Sequence, residues 1–198
     1  LQAVSQSLAG RAAYVTLLPF DRSETMKTKR ASKDLWETVW TGGYPVIYDR
    51  HIDPAEWYAS YITTYIERDI RNILNITDYI AFQTFLSLCA GRTGQILNLA
   101  SLASDCGISS PTAKSWLSVL EATYVTARLP TIHGSHSRRL TKSPKLHFFD
   151  TGLVCRLLEI TSPTQLKTHP LRGSIFESWV FSEVYKSRIN GGLSPSLF

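Results

Sequence analysis

Asn98-Leu-Ala-Ser-Leu-Ala-Ser-Asp-Cys-Gly-Ile-Ser-Ser-Pro-Thr-Ala-Lys-Ser-Trp-Leu-Ser-Val-Leu-Glu121 reads as two short helices joined by a tight turn. Asn98 is placed to cap the first helix, and Gly107 supplies the left-handed residue that ends it. Ser109 or Ser110 caps the second, with Pro111 in its first turn. Ala113, Trp116, Leu117 and Leu120 recur at helical spacing and predict its buried face. Two short helices joined by a Gly-containing turn form a helix-turn-helix pattern. Just downstream, residues 124–129 and 145–149 read as strands around a basic loop, 131–144. Just upstream, residues 79–90 read as a helix with Ile80, Phe82, Phe85, Leu86 and Cys89 apolar. Three helices and a two-stranded ribbon predict a winged helix.

Further out, the chain divides into three zones. In residues 1–50, a short helix is expected to run into a strand over residues 12–20, which Pro19 would end. Lys27-Thr-Lys-Arg-Ala-Ser-Lys33 is read as a solvated basic loop. A short helix over residues 33–40 is then broken by Gly42-Gly-Tyr-Pro45. The second zone, 51–149, opens with a strong helix start: Asp53 as cap, Pro54 in the first turn and Glu56 completing a capping box. Tyr58, Ile62, Ile66, Ile70 and Ile73 lie on one stripe, with Glu67 and Arg71 one turn apart on another. The third zone, 150–198, predicts a short helix over 152–158 and a longer one over 175–189. The apolar set of the longer helix is Phe176, Trp179, Val180, Val184 and Ile189. Gly191-Gly192 ends that helix, and residues 193–198 read as the beginning of a strand. The fold class expected is mainly α with a small β component.

Composition narrows the function classes. Hydrophobic residues make up 43% of the 198 and charged residues 19%, enough apolar material for a packed core and against wholesale disorder. No apolar run reaches the roughly 18 residues needed to cross a bilayer, so no membrane contact is expected. Cys89, Cys106 and Cys155 are odd in number and widely spaced, which gives neither a disulfide framework nor a metal pair; a cytoplasmic location is expected. Cys89 and Cys106 are read as buried small hydrophobes. The net charge of +5 permits phosphate contact without requiring it. The chain contains no GxxxxGK[ST] phosphate loop, HExxH, GxSxG or dinucleotide Gly-rich turn. His133 and His136 could offer two ligands, but nothing near them in sequence completes a metal site, so no metal site is assigned. The chain starts at Leu1 without an initiator Met and stops abruptly after Pro195-Ser-Leu-Phe198, which suggests a fragment.

The second helix of the helix-turn-helix bears on DNA reading. A base reader needs exposed Arg, Lys, Asn or Gln on that helix. Here the outward positions are Thr112, Lys114, Ser115, Ser118 and Glu121, poor equipment for sequence readout. The wing is better furnished: Arg138, Arg139, Lys142 and Lys145 could hold phosphates. With Lys114 they are the candidate nucleic-acid contacts.

An ordered set of phrases resembles one family. It comprises Ser7-Leu-Ala-Gly-Arg11, Leu17-Leu-Pro-Phe20, Gly43-Tyr-Pro45, Tyr65-Ile-Glu-Arg-Asp-Ile70 and Gly94-Gln-Ile-Leu-Asn98. It continues through Gly107-Ile-Ser109, Trp116-Leu-Ser-Val-Leu-Glu121, Lys142-Ser-Pro-Lys145, Phe149-Asp-Thr-Gly-Leu153 and Gly173-Ser-Ile-Phe-Glu177. The set resembles the C-terminal part of bacterial and archaeal AAA-type ATP-binding proteins that carry a C-terminal domain of unknown function. The resemblance implies a remnant of an ATPase domain over 1–50, a helical lid and winged helix over 51–149, and the start of an endonuclease-like α/β domain over 150–198. It implies that a P-loop ATPase domain, the first partner, precedes this chain. ATP and Mg²⁺ would belong to the parent protein, and this chain would hold no cofactor and be inactive alone. Arg11 matches a position suited to a nucleotide-sensing arginine. Glu177 matches the helical acid of the nuclease-like region, where one carboxylate alone does not hold a catalytic Mg²⁺. Glu67, Arg68, Asp69 and Arg71 match a charged phrase that could couple the lid to the winged helix.

Three functions follow as expectations. The chain could be a non-catalytic region coupling the nucleotide state of the ATPase domain to DNA or to a protein partner. It could be a fragment of a Mg²⁺-dependent nuclease-like enzyme. It could also be a protein-interaction module, self-association included.

Overall fold

The computed structural model describes residue 13 and residues 15–65, 78–131, 143–194 and 197. These are mainly α-helical with one small antiparallel sheet. In chain order the elements begin with α1 (Arg22–Thr25), α2 (Leu35–Thr41), α3 (Pro45–Asp49), α4 (Pro54–Tyr61) and α5 (Tyr79–Gly91). Then come β1 (Gln95–Ile96), α6 (Leu99–Asp105), α7 (Ser110–Ala122), β2 (Thr126–Leu129) and β3 (Lys145–Phe148). The last are α8 (Thr151–Leu157), α9 (Pro163–Thr168) and α10 (Arg172–Asn190). No helix among the described residues is long and apolar enough to cross a membrane.

The helix starts follow local chemistry. The Asn98 side chain accepts from the Ser101 amide at 3.0 Å and opens α6. Ser109 Oγ accepts from the Thr112 amide at 3.2 Å and opens α7, and Gly107 between them has φ 67°. Asp53 accepts from the Ala55 and Glu56 amides ahead of α4, which continues as a π turn through residues 62–65. Each cap satisfies amides that a helix start otherwise leaves unpaired, contributing about 1 kcal/mol. Ala113, Trp116, Leu117 and Leu120 form the buried face of α7 as the periodicity predicts. Trp116 meets Phe82 and Phe85 edge-on at 5.2 and 5.4 Å, locking α7 to α5. β3 is the central strand, in the order β1-β3-β2, with Gln95 opposite Leu146 and Thr126 opposite Phe148.

Four expectations need correction. The strand expected over residues 12–20 does not form in its described part: residues 15–20 carry no strand, and Leu17 is 89% exposed. Strand-forming residues need a partner ladder, and this stretch has none. Residues 193, 194 and 197 likewise carry no strand. In α5, Ile80 points to solvent, and burial falls to Phe82, Phe85, Leu86 and Cys89. In α10 the buried residues are Ile175, Ser178, Phe181, Ser182 and Lys186, whereas Val180 and Val184 of the expected apolar set are exposed. Elements not anticipated are α1, α3, β1 and α9.

One hydrophobic cluster joins Val39, Ile47 and Tyr58 to Phe82, Leu117 and Phe148, and then to Leu153 and Ile175. It crosses the chain positions near 50 and 150 at which the sequence divides into zones.

Candidate functional site

The outer face of α7 exposes Lys114, Ser115 and Ser118. Ser118 Oγ donates to the Lys114 carbonyl at 2.9 Å and is turned back onto its own helix. Glu121, the single acid of this face, is not free. Arg128 of β2 grips it with Nε and with Nη2, the latter at 2.7 Å to Oε2. A bidentate arginine–carboxylate pair is geometrically specific, and here it neutralises the one negative charge on the face. Lys114 has no ion pair among the described residues and is left as the face's cation.

At the base of the β2–β3 connection, Lys145 Nζ stands 2.5 Å from Glu177 Oε1 of α10. The structure thus brings together two candidates assigned to different chemistries: a phosphate-contacting lysine and a metal-binding acid. Both are exposed, so the pair contributes at most about 1 kcal/mol. Arg11, Glu67, Arg68, Asp69, Arg71, Arg138, Arg139 and Lys142 lie outside the described residues, as do His133 and His136. Among the described residues no group of three or more His, Cys, Asp or Glu side chains could hold a metal ion. Burial pushes the thiols of Cys89 and Cys155 above their ordinary range, so both are unreactive core side chains.

The residues that composition and spacing missed form a buried polar hub. Asp150 caps α8 by accepting from the Leu153 amide at 2.9 Å. The same carboxylate accepts from the Gly43 amide at 2.7 Å and the Tyr58 hydroxyl at 2.5 Å. Tyr48 donates its hydroxyl to the Gly42 carbonyl at 2.6 Å. The phrases Gly43-Tyr-Pro45 and Phe149-Asp-Thr-Gly-Leu153 therefore meet in space. Gly42 is required there: its φ is 73°, and a Cβ would run into the Tyr58 hydroxyl and the Asp150 carboxylate.

Beside the hub, α10 holds the segment that enters α1. Lys186, only 3% exposed, donates from Nζ to the Phe20 carbonyl at 3.1 Å and lies 3.8 Å from Glu183. Glu183 accepts from the Arg22 amide at 2.6 Å, and Asn190 donates to Asp21 at 3.0 Å. Burial drives the Lys186 pKa down, opposed by the charges of Asp150 and Glu183. Burial raises that of Glu183 against the pull of Lys186. For Asp21, burial is outweighed by hydrogen bonds from Ser23, the Glu24 amide and Asn190, and its pKa falls. The enclosed cavity of about 10 Å³ is sized for one water, too small for a substrate. Sequence alone marks these residues faintly: Asp150 is where the third zone starts, and Lys186 falls outside the apolar set of the longer helix.

Comparison with known proteins assigns the family. Residues 32–164 match the family described as Domain of unknown function (DUF8612), and the chain belongs to it. Uncharacterized protein Mb2031c of Mycobacterium bovis and Uncharacterized protein Rv2008c of Mycobacterium tuberculosis are each 28% identical over 183 residues, 91% of this chain. The chain spans 40% of the length of these relatives. No solved structure matches it.

Proposed function

We propose that this chain is a non-catalytic accessory region of a AAA-type ATP-binding protein, with a winged helix that contacts duplex DNA through its backbone phosphates. The observation that carries the reading is the run of α5, β1, α6, α7 and the antiparallel pair β2–β3, the element order expected of a winged helix; Arg138, Arg139 and Lys142 fall between β2 and β3 in the sequence. The Glu121–Arg128 pair supports it by removing the negative charge from the outer face of α7. The contacts of Lys186, Glu183 and Asn190 with residues 20–22 supply a mechanical link from the N-terminal segment to α10. A P-loop domain elsewhere in the parent, using ATP and Mg²⁺, would act on the winged helix through that link. The greater length of the relatives leaves room for such a domain. In the nuclease-like alternative Glu177 holds Mg²⁺; its carboxylate instead faces the Lys145 ammonium, so that reading is not favoured.

The test is fluorescence anisotropy with a labelled duplex. Affinity should fall steeply between about 50 and 200 mM salt, because each neutralised phosphate releases condensed counterions. Lys114→Ala should weaken binding to all sequences alike and lower the salt slope by about one. Absence of duplex binding, or binding indifferent to salt, overturns the reading.

A further inference from the structure

The basic run at Lys27–Lys33 has no part in the proposed function. Its first three residues, Lys27, Thr28 and Lys29, help to line a surface cavity of about 640 Å³, within the usual range for small-molecule sites. The rest of the lining comes from α3 and the turn after it, including Tyr48, Arg50 and His51, and from Phe20. Of the ten lining residues four are basic (Lys27, Lys29, Arg50 and His51) and one, Asp49, is acidic.

The lining segments are held by groups other than these cations. Arg30 Nη1 donates to the Ile47 carbonyl at 3.1 Å and the Ile52 carbonyl at 2.5 Å, fastening the basic loop to α3 and the segment after it. The Thr28 hydroxyl donates to the Thr25 carbonyl at 2.7 Å, and the Lys27 amide to the Glu24 carbonyl at 3.0 Å. Arg30 also covers a carbonyl at the negative end of α3, which would otherwise repel an anion. The side chains of Lys27, Lys29 and Arg50 make no ion pair or hydrogen bond with any described residue. Like charges gathered on a preset frame repel one another until an anion enters. Phe20, Pro45 and Val46 add an apolar surface beside them.

We infer that this cavity binds a small phosphate-bearing molecule, with the phosphate on Lys27, Lys29 and Arg50 and an apolar or planar group against Phe20, Pro45 and Val46. The site stands apart from the winged helix, and the inference does not rest on DNA binding.

Isothermal titration calorimetry of the whole chain with phenyl phosphate tests it, with phenol as the uncharged comparison. The expected result is saturable 1:1 binding of phenyl phosphate and none of phenol. Lys27→Ala/Arg50→Ala, a change at two exposed side chains, should weaken binding at least about tenfold, since charge-assisted contacts are lost. Its thermal melt should match that of the unsubstituted chain. Lys114→Ala should bind phenyl phosphate normally. Unsaturable heats, or equal affinity in the double variant, overturn the inference. Displacement of phenyl phosphate by duplex DNA, in the unsubstituted chain and Lys114→Ala alike, would assign the cavity to backbone phosphate and overturn it too.

Discussion

His147 sits fully buried on β3, its ring stacked on Phe181 with centroids 4.5 Å apart. Nδ1 lies 2.9 Å from Ser178 Oγ, which in turn lies 2.7 Å from Thr93 Oγ1, while Nε2 has no partner among the described residues. Burial pulls the imidazole pKa down to about 4, with Glu177 opposing and Lys145 adding to the shift. A histidine in the unfolded chain titrates near 6.5. Between these values the unfolded chain takes up a proton that the folded chain refuses, so stability falls as pH falls. From pH 7 to pH 5 this group should remove about 1–2 kcal/mol, at about 1.4 kcal/mol per pH unit within the window. Urea unfolding midpoints across that range check it, and His147→Gln should flatten the dependence. An unchanged pH slope in the variant would assign the titration to another group.

α10 shows how an element can bury the face that its apolar residues do not mark. Ser182 Oγ donates to the Phe149 carbonyl at 2.6 Å, and Ser178 joins the His147–Thr93 chain. Small hydroxyls let the helix approach β3 closely and satisfy polar atoms that a larger apolar side chain would strand. Ser182→Ala should therefore cost about 1–3 kcal/mol, because the Phe149 carbonyl loses its buried donor. Val180→Lys and Val184→Lys should each change stability by less than about 0.5 kcal/mol, since Val184 is 45% exposed and Val180 nearly as much. Chemical denaturation of the three variants decides between the two faces. Large losses from the valine substitutions and none from Ser182→Ala would place the helix the other way round.

Across the whole molecule, the core depends on residues from both ends of the described chain. Leu153, Val154, Ile160, Leu166 and Ile175 are each 3% exposed or less and complete the cluster that begins at Val39. At about 1.5–3 kcal/mol per large buried apolar side chain, these five match the whole net stability of a typical domain, about 5–15 kcal/mol. A chain ending after Phe149 should then show no cooperative thermal transition by circular dichroism. The full chain should unfold in one step, coincident by tryptophan fluorescence and circular dichroism. Two separated transitions in the full chain, or a cooperative melt of the shortened one, would mean that the zones fold independently.

What the sequence determined by itself is local. The caps at Asn98 and Ser109, the turn at Gly107 and the buried face of α7 are legible because capping and a 3.6-residue period act within a few residues. Lys114 could be placed on the outer face by the same arithmetic. The pairing of Lys145 with Glu177 and of Arg128 with Glu121 could not, since each depends on how separate elements pack. The Asp150 hub needed tertiary structure for the same reason. Its carboxylate reaches Tyr58 and Gly43 across 92 and 107 residues, and no local pattern records a hydrogen bond over that separation. The basic run Lys27–Lys33 reads as a solvated loop in sequence. Only folding brings Lys27 and Lys29 to the same cavity as Arg50, because Arg30 turns inward to bind the carbonyls of Ile47 and Ile52.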